Sequence, residues 1–419
     1  VIDSDVGERA LARATWRLVP LMAVCYFFAY LDRTNLSVAA LTMNRQLGLS
    51  GTAYGFGAGL LFVGYVLLDA PSNLVLHRVG ARVWMARIMV VWGLVAAACA
   101  AIQGETSFFV LRFLLGVAEA GFFPGMILYL TYWFPAARRA TVTGLFMIAV
   151  PLSTAVGAPL GGLLLGLDGA LGLAGWRWLF LLEGLPSIVL GLLLLRLLPD
   201  RPTDARWLTA EERSWLTATL AAEESAVAAM PVRRAVRHPR VIALGLVYFA
   251  IAFGLYGLGF WMPTILKTSL ALDNLTVTLL TAVPYAIGAI AMVRWGRRCD
   301  RIGRPVANTL VPMAAGGVLL AVSAFLSPWL GYAGLCACAI GVMAAFPCFW
   351  TLPSAFLSGA AVAVGIGVIN SIGNLSGFLG PYWVGWMTDL FGSSRWGLVT
   401  IGLVMVAGAG LVSRLRTVS

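Results

Sequence analysis

Charge is scarce in this sequence. Of its 419 residues only 11% are Asp, Glu, Lys or Arg, against about 25% in soluble domains. That shortage excludes an ordinary soluble globular domain. Histidine is almost missing. His77 and His238 are the two copies, both read as loop residues, so no metal site or physiological pH switch is expected from them. The six cysteines are Cys25, Cys99, Cys299, Cys336, Cys338 and Cys348, and none has zinc-type spacing. They read as small apolar packing residues. No nucleotide-binding loop, metal cluster or nucleophile constellation occurs, which argues against an enzyme and against an ATP-driven pump. No metal and no cofactor are expected. No cleavable leader is expected either: the apolar run from Leu18 to Leu31 continues into a full-length span. Val1 in place of Met reads as the mark of a trimmed chain.

Apolar residues fill the space that charge leaves. They make up 60% of the chain, and mean hydropathy is +0.89. Runs near the length needed to cross a bilayer recur. Twelve spans are read, near 17–41, 54–76, 84–104, 107–132, 139–166, 178–198, 240–266, 275–296, 305–326, 329–358, 360–388 and 396–413. The chain is therefore expected to be an all-α polytopic protein of the lipid bilayer. A net charge of +11 could suggest nucleic acid, but its distribution excludes that partner. On the span map 23 basic residues fall on one side and 4 (Arg45, Arg177, Lys267 and Arg395) on the other. The positive-inside rule then makes both termini and the central loop cytoplasmic.

An internal repeat with an offset of about 223 residues divides the chain. Asn73-x-x-x-His77-Arg78-x-Gly80 aligns with Gly296-x-x-x-Asp300-Arg301-x-Gly303. Phe123-Pro124 aligns with Phe346-Pro347, and Gly157-x-Pro159-x-Gly161-Gly162 aligns within a residue with Gly380-Pro381-x-x-x-Gly385. This predicts two pseudo-symmetric six-helix bundles, 1–199 and 239–419, joined by a cytoplasmic linker at 200–238. The linker is expected to hold a short amphipathic helix, with Thr209 as cap and Glu212 at the capping-box position. Two parallel halves of this kind can rock about a site at their interface.

Against this apolar background four charges stand out. Asp32 and Arg33 sit together in AYLDRTNL, and Arg112 and Glu119 lie in the fourth span. An ionisable residue at the centre of a bilayer costs about 2.5–3.5 kcal/mol even on the mildest scale. Counting about 1.5 Å per residue puts Arg33 and Arg112 at similar depth, with Glu119 about 10 Å deeper than Arg112 on the same helix face. Gly116 on that face is expected to keep the space open. Two guanidiniums at one level suit a carboxylate. An entering anion makes the site negative, which favours proton uptake by Asp32 or Glu119. The competing reading is two static pairs, Asp32 with Arg33 or Arg112 and Glu119 with Arg112. The second half carries no equivalent charges, which speaks against a mere helix staple. Tyr30, Tyr65, Tyr256, Trp261, Asn370 and Asn374 are further candidates for the substrate wall, with packing roles open for the aromatics. Glu183 also lies in a span, without an assigned role.

The chain resembles the major facilitator superfamily over its whole length. The run Gly296-Arg-Arg-Cys-Asp300-Arg301-Ile-Gly303-Arg304 is similar to that superfamily's signature loop, whose role is a gating charge latch. The first copy, with Arg78, departs from it: His77 stands where Asp is usual. YLDRTNLSVAAL, GYVLLDAPSNLVLHRVGAR, RFLLGVAEAGFFPG, GWRWLFLLEGLP and RPTDARWLTAEE resemble the anion:cation symporter family. Its tartrate, phthalate, hydroxyphenylacetate and sugar-acid permeases are the nearest subgroup. The resemblance implies substrate arginines at Arg33 and Arg112 and proton-linked acids at Asp32 and Glu119. It implies proton-coupled import of a small organic carboxylate such as tartrate by alternating access. The proton gradient is the expected energy source, and a monomer in a bacterial inner membrane is expected. An aromatic carboxylate, walled by Phe27, Phe123 and Trp261, stays open as substrate. So do a proton-antiport exporter and a non-transporting membrane sensor.

Overall fold

Lipid offers backbone N–H and C=O groups no partners, so a spanning segment satisfies them internally as a helix. The computed structural model describes residues 2–135, 138, 142, 145–226, 238–302, 304–353 and 360–415. Gly303 and residues 227–237 of the linker lie outside the described residues, as do the side chains of His77 and Asp300. The N-terminal bundle holds α1 (Ile2–Leu47), α2 (Gly51–Val79), α3 (Ala81–Ala98), α4 (Glu105–Glu119), α5 (Phe122–Thr131), α6 (Ala149–Leu165) and α7 (Gly175–Leu197). The linker contributes α8 (Ala210–Ala226). The C-terminal bundle holds α9 (Pro239–Leu270), α10 (Asn274–Ile302), α11 (Pro305–Ser323), α12 (Pro328–Phe349), α13 (Ala360–Phe391) and α14 (Arg395–Arg414). No strand occurs among the described residues.

Eleven described segments are long and apolar enough to cross a membrane, α4 and α5 counting as one. The 32-residue α13 takes the twelfth place. The fold is thus twelve transmembrane helices in two six-helix bundles. Their register is shared: the offset that carries Gly51 to Asn274 also carries Val79 to Ile302 and Leu47 to Leu270.

Two details differ from the sequence reading. Helix α1 extends beyond the span read near 17–41 and runs from Ile2, its first turns packed on α8. Arg13 Nη1 meets Glu212 Oε2 at 2.9 Å, and the Trp215 ring of α8 lies against Gly7 of α1. Glu212 also closes the capping box, its backbone N–H donating to Thr209 Oγ1 at 3.2 Å while Thr209 N–H donates to its carboxylate at 3.0 Å. His77, read as a loop residue, lies in the closing turns of α2.

The halves meet along α2 with α13, α6 with α10 and α1 with α9. Their polar contacts cluster at the end of the molecule away from the termini. Gly51 and Thr52 N–H groups at the start of α2 donate to Asp389 of α13 at 2.9 and 2.6 Å. Tyr54 Oη donates to Phe260 O at 2.8 Å. Lys267 Nζ donates to Leu41 O at 3.4 Å. Glycine makes the approach possible: a Cβ on Gly55 would stand 2.3 Å from Pro381 O, and one on Gly385 2.1 Å from Gly51 O. This end is closed, and the central cavity lies on the termini side of the seam.

Candidate functional site

The cavity between the bundles spans about 660 Å³ of empty space, part of it open to solvent. From α1 it receives Tyr26, Tyr30 and Arg33, from α2 Phe62 and Tyr65, and from α5 Phe123. The second bundle adds Tyr248, Tyr256, Phe346, Trp350, Asn370 and Asn374. Among the described residues nine aromatic side chains line it, and Arg33 is the one charged lining residue.

Arg33 is fixed by geometry. Its Nη2 donates to Glu119 Oε1 at 2.6 Å, with the two side chains 11% and 3% exposed. Its guanidinium lies over the rings of Tyr30 and Phe62, 5.0 and 5.5 Å from their centres, an arrangement favourable to a cation. Glu119 reaches it because the fourth span breaks there. Helix α4 ends at Glu119, Ala120 turns out of helical geometry, and Gly121 takes φ +85°. Only glycine adopts that conformation freely, and a Cβ at Gly121 would also strike Ser72 Oγ at 2.1 Å. Ser72 Oγ closes the break by donating to Ala120 O at 2.8 Å.

The expected side-by-side arginines do not form. Arg112 has no exposed surface and lies off the cavity wall. It faces the bundle interior, where the charges that reach it come from Asp32 and Glu119 and its other neighbours are Cys99 and Tyr54. None of its guanidinium nitrogens has a hydrogen-bond partner among the described residues. Asp32 is buried and accepts a hydrogen bond from Trp92 Nε1 of α3, rather than turning to the fourth span. The ion pair that does form, Arg33 with Glu119, is none of the static pairs read from sequence. Gly116 does not hold space open either: a Cβ there would sit 1.9 Å from Leu61 O, so it is where α2 and α4 cross.

The remaining candidates divide. Tyr30, Tyr65, Tyr256, Asn370 and Asn374 reach the cavity wall. Trp261 does not; its Nε1 donates to Pro381 O at 3.0 Å and its ring meets Tyr54, inside the closed seam. Phe27 is likewise off the wall. At the loop motifs Arg78 and Arg301 are exposed, and Gly296 lies against Pro347. In the first half a carboxylate does stand at the start of α3, and Asp200 supplies it, taking Arg82 N–H at 2.8 Å. Tyr26, Phe62, Tyr248 and Phe346 were missed in the sequence, as was Trp92. Nothing in their local pattern separates a cavity aromatic from a packing one. Among the described residues no three His, Cys, Asp or Glu side chains converge to hold a metal.

Known proteins share this arrangement of chain. A "Putative tartrate transporter" of Agrobacterium vitis is 48% identical over 100% of this chain and 92% of its own. A "Quinolone resistance transporter" of Acinetobacter baumannii is 39% identical over 96% and 94%. The xylose transporter XylE of E. coli, solved partially occluded and inward open, superposes with a TM-score of 0.77 over 96% of this chain and 98% of that one, at 14% identity. Residues 22–381 match the family described as the Major Facilitator Superfamily. With that match and relatives of such identity along its full length, the chain belongs to the Major Facilitator Superfamily, as a multi-pass membrane protein.

Proposed function

We propose that this protein is a secondary transporter that imports a small organic anion, tartrate or a related hydroxy or sugar acid, together with protons by alternating access. The observation that carries the reading is the Arg33–Glu119 pair on the cavity wall. A substrate carboxylate and Glu119 compete for one guanidinium. Protonating Glu119 releases Arg33 to the anion, so anion and proton travel together. Tyr30, Tyr65, Tyr256, Asn370 and Asn374 supply the hydroxyl and amide groups that a hydroxy acid needs. Arg112 and Asp32 act from behind the wall, Arg112 by its charge and Asp32 as a second proton acceptor. The basic loops set the termini in the cytoplasm, and the cavity then opens inward in a bacterial inner membrane. The proton gradient drives a monomer, with no cofactor and no chemical conversion of the substrate. The tartrate-transporter name of the 48% identical relative supports the substrate class.

A second reading, transport of an aromatic carboxylate, is favoured by the nine aromatic side chains on the wall. Thermal-shift screening of purified protein against tartrate, sugar acids and aromatic acids separates the two. Uptake into vesicles with and without an imposed pH difference tests coupling. Stabilisation by none of these acids would refute the anion reading.

A further inference from the structure

One buried acid has no part in the cavity. Glu183 of α7 is 4% exposed, and neither of its carboxyl oxygens makes a hydrogen bond among the described residues. The Asn35 amide of α1 lies alongside, and neither of its polar atoms has a partner among the described residues. Ser187, one turn on from Glu183 and on the same face, has no exposed surface and an unpartnered hydroxyl. Three residues from two helices thus carry unpartnered polar atoms, and Asp32, whose carboxylate accepts from Trp92, stands one turn from Asn35 on α1.

Charge counting sharpens this. Among the described residues, the interior of the N-terminal bundle holds Asp32, Glu119 and Glu183 against Arg33 and Arg112. Three carboxylates against two guanidiniums leave one negative charge without an internal partner. The two arginines reach Asp32, whereas the charge that reaches Glu183 is that of Asp32. Where helix α3 packs on α7, Gly93 meeting Gly184, its neighbouring residue is Trp92, and its two arginines, Arg82 and Arg87, lie back in its first turns. An ionised carboxylate left bare in such a place is untenable.

We propose that Glu183, Asn35, Ser187 and Asp32 form a second cation site in the N-terminal bundle, taking one monovalent cation, H⁺ or Na⁺. As H⁺ it sits on a Glu183 oxygen, and the resulting O–H can donate to Asn35 Oδ1. As Na⁺ it is held by oxygen alone. The site's place in a transport cycle rests on the proton-coupled reading, through Asp32; its occupancy does not.

Infrared spectroscopy of purified protein in H₂O and D₂O, without substrate or gradient, tests it. The expected result is a protonated-carboxyl carbonyl band at neutral pH that E183Q abolishes. If the cation is Na⁺, replacing choline by Na⁺ at constant ionic strength raises the melting temperature of the wild-type chain but not of E183Q. Should E183Q not fold, N35A shifts the band or removes the Na⁺ response. A band and a Na⁺ response that both ignore these substitutions would overturn the site. The symport reading fails separately, by uptake that ignores the pH gradient while this band persists.

Discussion

The two bundles have one register and opposite interiors. In the first, Asp32, Arg112, Glu119 and Glu183 are buried; in the second, no charged side chain is buried among the described residues, only Thr, Asn and Ser. The repeat sets Glu119 against Val342, Arg112 against Leu335 and Gly121 against Ala344. At Gly121 the fourth span breaks, while through Ala344 the tenth stays helical from Pro328 to Phe349. A six-helix bundle therefore packs without these charges and without the break. What they add to the first half is a buried end of α4 that presents Glu119 to Arg33. Across the repeat Arg33 answers to Tyr256, and both face the cavity, so one half brings the charge and the other a neutral hydroxyl.

Erasing the difference has the largest expected effect. Arg33→Ala should weaken anion binding at least about 30-fold, the loss of a charged hydrogen-bonded partner worth about 2–5 kcal/mol, as calorimetry reads. Copying charge into the second half is next: Val342→Glu, buried at 1% exposure, should lower stability by about 2.5–3.5 kcal/mol in chemical denaturation. Removing the break is milder. Gly121→Ala forces a side chain into a left-handed conformation at about 1–2 kcal/mol and should lower the melting temperature while weakening substrate binding. Smallest is Asp389→Ala at the seam, where removing a helix cap costs about 0.5–2 kcal/mol. It should loosen the closed end, seen as faster modification of Lys267, the only lysine in the chain, by an amine reagent.

Much of the fold was legible because the bilayer demands long apolar runs, and because Gly and Pro anchors recur in register. Asp32, Arg33, Arg112 and Glu119 were legible as anomalies in those runs. Their pairing was not. It depends on a backbone turn at Ala120–Gly121 that swings Glu119 toward α1, and on rotation of α4 that faces Arg112 inward. Helical counting assumed an unbroken span. The seam was illegible for another reason: Asp389 meets Gly51 and Thr52 from the far end of the sequence.

The central claim is that one guanidinium is shared between Glu119 and the anion. Glu119→Gln in reconstituted vesicles tests it most directly, with tartrate, sugar-acid and aromatic-acid uptake followed under an imposed pH difference. Wild-type binding should strengthen as pH falls and Glu119 takes up its proton. The variant should bind its anion independently of that change, exchange it across the membrane, and fail to accumulate it. Accumulation by Glu119→Gln equal to wild type would contradict the account.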